Sequence, residues 1–126
     1  MKVKRMELSE CEIIVMKCIW DTGGAMTCQE IIKKIKDEYH LDYSSTTVYT
    51  FLKYLQDKGF VKCKKNGLNY YEAIKEEKVY REAVMDRTKK FWFSGSSKKM
   101  ISALIHSEKL DEADKEEIKR MIDELD

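Results

Sequence analysis

Proline is absent, so every helix in this chain must be ended by glycine, turn chemistry or capping side chains. No uninterrupted apolar run approaches the ~20 residues that cross a bilayer, which excludes a membrane span. The opening Met1-Lys2-Val3-Lys4-Arg5 leads into Met6-Glu7-Leu8-Ser9-Glu10 rather than an apolar segment, so no signal peptide is expected and the reading is cytoplasmic. Cys11, Cys18, Cys28 and Cys63 form neither a CxxC nor a CxC pair, which predicts reduced, mostly buried thiols rather than a metal or redox motif. The histidines, His40 and His106, are isolated and read as surface residues. No nucleophile–base pair, phosphate-cradling glycine loop or metal-ligand cluster is visible, so neither an enzyme nor a cofactor is expected. Charge of one sign is also missing: 24 basic against 23 acidic side chains exclude an obvious polycation.

What remains is a globular composition. The 126 residues are 43% hydrophobic with seven tyrosines, enough for one domain, or two small ones, without disulfides. Ser9-Glu10-Cys11-Glu12 is a capping box that opens a helix carrying Ile13, Ile14, Val15, Met16, Ile19 and Trp20, and Gly23-Gly24 closes it. Thr27-Cys28-Gln29-Glu30 opens a second, with Ile31, Ile32 and Ile35, whose pattern ends near Tyr39-His40-Leu41. Ser44 or Ser45 can cap a third that runs to Lys58, with Gly59 beyond its end.

Phe60-Val61-Lys62-Cys63-Lys64-Lys65 alternates apolar with basic like a half-buried strand. Asn66-Gly67 is a hairpin signal favouring a type I′ turn, and Leu68 to Ala73 is the returning strand. From Lys75 the pattern is helical again, in three further stretches with a stop at Ser94-Gly95. The predicted class is mainly α with a small β-hairpin wing: a winged helix-turn-helix domain over 1–73 and a C-terminal three-helix dimerisation domain over 74–126.

In a winged helix the third helix enters the major groove and the hairpin lies on the backbone. On a helical wheel Val48, Leu52 and Leu55 form the core face of that helix, with Phe51 on one shoulder, while Thr46, Thr50 and Lys53 lie opposite, flanked by Tyr49 and Tyr54. An ordinary exposed face would be rich in Glu, Lys and Gln. Here Ser44, Ser45, Thr46, Thr47, Tyr49 and Thr50 form a run of hydroxyls, short groups that suit phosphates and base edges. Lys53, Lys58, Lys62, Lys64 and Lys65 follow, opposed between 53 and 65 only by Asp57. Strand alternation sends Lys62 and Lys64 away from Val61 and Cys63, giving a basic face able to neutralise phosphates. The expected DNA-binding set is Ser44, Ser45, Thr46, Thr47, Tyr49, Thr50, Lys53, Tyr54, Lys62, Lys64 and Lys65. The plainer alternative for the same residues is a capped, β-branched surface helix beside a solvated lysine-rich hairpin.

Residues 1–71 carry 12 basic and 9 acidic side chains, whereas 72–126 carry 12 and 14, so the charge changes sign along the chain. The acidic part holds more apolar surface than so short a segment can cover by itself: Phe91, Trp92 and Phe93, then Met100, Ile101, Leu104 and Ile105, then Ile118, Met121, Ile122 and Leu125. These are the expected contacts of a homodimer, whose two-fold axis would set two recognition helices about 34 Å apart on successive turns of a palindromic operator. The alternative is that these helices pack only on their own chain.

Taken together, the residues resemble the penicillinase-repressor (BlaI/MecI-type) family of winged-helix transcriptional repressors over nearly the whole chain. The matching stretches are Leu8-Ser9-Glu10-Cys11-Glu12 with Val15-Met16 and Trp20, and Thr27 with Glu30-Ile31. They continue through Tyr43 to Thr50, with Leu52, Leu55 and Lys58-Gly59-Phe60. The resemblance implies a homodimeric cytoplasmic repressor that covers a palindromic operator on double-stranded DNA, clamped by its C-terminal helices. Tyr43 stands where the family usually has tryptophan, and Thr46, Tyr49 and Tyr54 where basic residues are common, which implies a different operator; Leu68 stands where arginine is common, which weakens one expected wing contact. The Asn-Phe pair cleaved in β-lactam-sensing members has no counterpart after Asn69, its place falling near His106-Ser107, and the C-terminal CxC pairs of copper-responsive relatives are missing, so the inducing signal stays open. A winged-helix protein-interaction module that does not bind DNA, and a metal-regulated repressor using the scattered cysteines, remain as other readings.

Overall fold

The computed structural model describes residues 7–107 and 109–125. Its elements run α1 (Glu10–Thr22), β1 (Met26–Thr27), α2 (Cys28–Tyr39), α3 (Ser45–Asp57), β2 (Val61–Asn66), β3 (Leu68–Ala73), α4 (Glu77–Trp92), α5 (Ser97–Ser107) and α6 (Glu112–Asp123). The chain divides into two compact units, Met1–Glu82 and Ala83–Asp126, the division falling inside α4. Among the described residues no helix is long and apolar enough to cross a membrane.

Local chemistry explains the helix boundaries of the first unit. Both capping boxes form in full: the Ser9 and Thr27 hydroxyls accept the backbone N–H of Glu12 and Glu30, whose carboxylates accept the cap N–H in return. Gly23 closes α1 in the left-handed conformation at φ 76°, while α2 closes on His40, which takes up the same region at φ 58° and donates its N–H to Lys36 O. His40 is thus a helix cap, a role its isolation in the sequence hides. Three sides of the core then converge. Val15, Met16, Cys18 and Ile19 come from α1, Ile31 and Ile35 from α2, and Val48, Leu52 and Leu55 from α3. Phe60, Val61 and Tyr71 close it from the sheet, and Tyr80 on the first turn of α4 packs against the rings of Trp20 and Phe60.

The sheet has three antiparallel strands in the order β1-β3-β2, so β3 is central. β1 is absent from the sequence reading because two residues are too few to show alternation; Met26 and Thr27 pair with Tyr71 and Tyr70 just before Thr27 caps α2. The hairpin also departs from expectation. A type I′ turn needs positive φ at both Asn66 and Gly67, yet only Gly67 has it, at φ 77°. The register centres on Gly67, pairing Asn66 with Leu68 and Lys62 with Glu72. A two-residue turn would have set Val61 opposite Glu72. The one-residue difference changes which residues share a face.

In the second unit, Ser94 and Gly95 take positive φ after α4, and the Ser96 hydroxyl accepts from Lys99 N in the first turn of α5. Asp111 caps α6 by accepting from Asp114 N. No residue of α5 or α6 is buried.

Candidate nucleic-acid interface

α3 is fixed to the rest of its unit from both ends. Ser44 caps it, its hydroxyl accepting from Thr47 N at 3.2 Å and donating to Thr47 Oγ1 at 3.0 Å. Before the cap, Tyr43 packs edge-on against Phe51, and its hydroxyl lies 3.2 Å from the Cys11 thiol on α1. The Cys28 thiol of α2 donates to Ser45 O at 3.9 Å, a sulfur-length contact. At the far end the Lys58 ammonium bonds Glu12 Oε1 at 2.7 Å and Glu7 O at 3.1 Å. Burial pushes the Glu12 carboxyl up, but the Lys58 ammonium and the Ser9 donors outweigh it and hold it below its ordinary 4.5. Lys58 therefore pairs with a carboxylate only 3% exposed and does not join the outward basic group that the charge run predicts.

With Val48, Leu52 and Leu55 fully buried, Thr46, Thr50 and Lys53 are left facing solvent. Thr50 Oγ1 donates to Thr46 O at 3.0 Å, so its hydrogen is used inside the helix. What Thr50 offers outward is a pair of acceptor lone pairs and a methyl group, chemistry suited to the amino groups of adenine or cytosine and to the thymine methyl. Lys53 has no ion-pair partner among the described residues. Tyr54 is exposed on one flank. Tyr49, on the other, is also exposed, but its ring lies 6.5 Å from that of Tyr71 on the sheet. Ser45 and Thr47 are half-buried, and the Ser44 and Thr47 hydroxyls are engaged with each other. The hydroxyl run thus separates into the cap pair Ser44 and Thr47, the half-buried Ser45 between them, and an outward group, Thr46 and Thr50.

On the hairpin, Val61 is buried and Cys63 half-buried, while Lys62, Lys64 and Lys65 are exposed. The outer face also holds an acid that the sequence reading overlooked. Glu72 Oε1 lies 3.3 Å from Lys62 Nζ and 2.9 Å from Lys64 Nζ. Lys64 and Lys62 together hold the Glu72 carboxyl below its ordinary value. Lys65 has no such partner among the described residues. The signal was present in the sequence, as a glutamate on the returning strand, but its face depends on the register. Behind the sheet Tyr71 is held near pKa 12, by burial first and then by the neighbouring Cys63 thiol.

In the second unit, Phe91 and Trp92 stack edge to face at 4.8 Å while remaining 75% and 72% exposed. Ile101, Leu104, Ile105, Met121, Ile122 and Leu125 are also exposed, and Phe93, Met100 and Ile118 are half-buried. Ile105, Leu110, Ile118 and Ile122 line an apolar groove of about 600 Å³ edged by Lys109, Lys115 and Lys119.

Other chemistry is sparse. Among the described residues no three His, Cys, Asp or Glu side chains meet as a metal site, and the four thiols are unpaired. A cleft of about 430 Å³ lies between the end of α1 and the β3–α4 connection, lined by Trp20, Glu72, Glu76 and Glu77 among others and by no residue of α3. A family model described as penicillinase repressor matches residues 8–124. Comparison with curated proteins found no match.

Proposed function

Because the chain belongs to the penicillinase repressor family, a family of DNA-binding transcriptional repressors and not of enzymes, we propose that it acts as a cytoplasmic homodimer on a palindromic operator. One observation carries the reading of the contact surface. The helix whose Val48, Leu52 and Leu55 are completely withdrawn from solvent turns Thr46, Thr50 and Lys53 outward, in the same compact unit as a hairpin that exposes three lysines. In this reading Thr46, Thr50 and Lys53 meet base edges, Lys62, Lys64 and Lys65 meet phosphates, and Ser44, Ser45 and Thr47 hold the helix N-terminus at the backbone. Tyr49 and Tyr54 flank the helix, Tyr49 chiefly as a support against the sheet.

The apolar side chains of α5 and α6 support the dimer. Two helices with no buried residue, and aromatics three-quarters exposed at the end of α4, are what a single chain shows when its covering surface belongs to another copy. Two copies related by a two-fold axis would present two α3 helices to half-sites about 34 Å apart.

Selection of bound duplexes from a random pool, with a solution mass measurement in parallel, tests both parts. The expected result is an enriched inverted repeat bound by two chains, with affinity falling steeply as salt rises. Binding that is absent or insensitive to salt would favour a protein-interaction module and overturn the DNA reading.

A further inference from the structure

We infer that Glu72 competes with DNA for the wing lysines, lowering sequence-independent affinity so that the α3 face decides where the protein binds. The inference rests on the reading that the wing meets phosphate. Lys62 stands directly opposite Glu72 in the antiparallel register, and Lys64 lies two residues along the same face. One oxygen, Glu72 Oε1, reaches both ammonium groups, at 3.3 and 2.9 Å. The lysine side chains are 54% and 61% exposed and the glutamate 28%, so the carboxylate sits deeper and its partners form the outer layer.

A phosphate approaching this face meets two lysines whose charge is half cancelled before it arrives. It must share their ammonium groups with Glu72 or displace it. Lys65, next along the strand, carries no such counter-charge among the described residues and offers its full charge. The wing is therefore weaker than its three lysines imply. Affinity from phosphate contacts is the same on every sequence, and genomic DNA presents a vast excess of wrong sites. Holding that part down leaves the base contacts with a larger share of the total. Lys64 and Lys62 hold the Glu72 carboxyl below its ordinary value, so it is ionised and the competition is in force at neutral pH.

The test compares the wild-type protein, Glu72→Gln and Lys65→Ala on a duplex of random sequence across a salt series. Glutamine keeps the side-chain shape and can still bond the lysines but removes the charge. If Glu72→Gln frees the equivalent of one more phosphate contact, the salt slope steepens by about 0.9 and binding at 0.1 M salt tightens about eightfold. Lys65→Ala should flatten the slope by about the same 0.9. Unchanged or weaker binding by Glu72→Gln, while Lys65→Ala weakens it, overturns the inference and leaves the wing reading in place. If neither variant moves affinity or slope, the wing does not meet DNA and both fall. A drop in melting temperature with no change in slope assigns Glu72 to strand pairing alone and also overturns the inference.

Discussion

In the first unit Val15, Met16, Ile31, Ile35, Val48, Leu52 and Leu55 are fully withdrawn from water, whereas in the second Leu104 is 58% exposed and Leu125 75% exposed. Both units are built from amphipathic helices. The first closes because three helices and a sheet approach a common centre from different directions, so each apolar face finds cover within the unit. In the second, no residue of either α5 or α6 is buried. Apolar stripes on this scale need a further surface. If the proposed dimer covers α5 and α6, the contrast separates two sources of stability: burial that a chain completes alone, and burial that depends on association and therefore on concentration.

The largest test of that contrast is to charge the second unit. Leu104→Glu combined with Ile122→Glu should convert a two-chain particle to a single chain, as read by sedimentation or light scattering. The link between two half-site contacts would then be lost, weakening operator affinity by about 10²–10⁴-fold. The near-ultraviolet circular dichroism of Trp20 and its ring neighbours in the first unit should persist. A dimer that survives the double substitution would show that the exposed stripes are not its interface. The complementary experiment cuts into the first unit. Ile35→Ala should cost about 2–5 kcal/mol in chemical unfolding, since a fully buried aliphatic side chain is removed from a closed core. A cost below 1 kcal/mol would mean that this core is looser than its burial implies.

Much of the first unit could be read directly from the residues, because its signals are local. Ser9 with Glu12 and Thr27 with Glu30 announce their helices within four residues, and both boxes are present. The 3.6-residue spacing of Val48, Leu52 and Leu55 likewise identifies the inward face of α3. What could not be read depends on partners distant in sequence. The Lys58–Glu12 pair joins residues 46 apart, and nothing beside Lys58 marks it as internal. Glu72 was missed for a more specific reason. Asn66-Gly67 favours a two-residue turn, and in that register Glu72 would share a face with Val61; centring the hairpin on Gly67 moves it opposite Lys62. One residue of register thus decides whether the wing's outer face is purely basic or carries its own acid. Helical spacing puts Tyr49 on the flank of the outward face, but its contact with Tyr71 depends on where β3 lies.

A smaller effect tests whether the first unit's polar contacts matter beside its apolar core. Lys58→Ala leaves the buried Glu12 carboxylate without its cation, a loss of about 1–3 kcal/mol at neutral pH. The folded protein holds the Glu12 carboxyl below its ordinary 4.5, so its ionised form stabilises the fold above that value. The contribution fades as pH falls through the lower folded value and protons neutralise the carboxylate. The gap in melting temperature between wild type and Lys58→Ala should therefore be widest near neutral pH and narrow steadily below about pH 4.5. A gap that is flat with pH would mean that the alkyl chain of Lys58, not its charge, supplies the stability.

The smallest effect separates folding from contact within α3 itself. Ser44→Ala removes the hydroxyl that accepts from Thr47 N, which should cost about 1 kcal/mol of stability and lower the melting temperature by a few degrees. Thr47 is half-buried and its hydroxyl already accepts from Ser44, so the cap is complete within the chain. If Ser44 acts only as a cap, binding measured well below the melting temperature should change no more than the folded fraction does, and the salt slope should stay as it is. Ser44→Gly is the control, since glycine is tolerated at a helix N-cap and should recover most of the stability. Binding lost in both variants, with stability recovered in only one, would place the Ser44 hydroxyl on the phosphate backbone and extend the contact surface to the start of the helix.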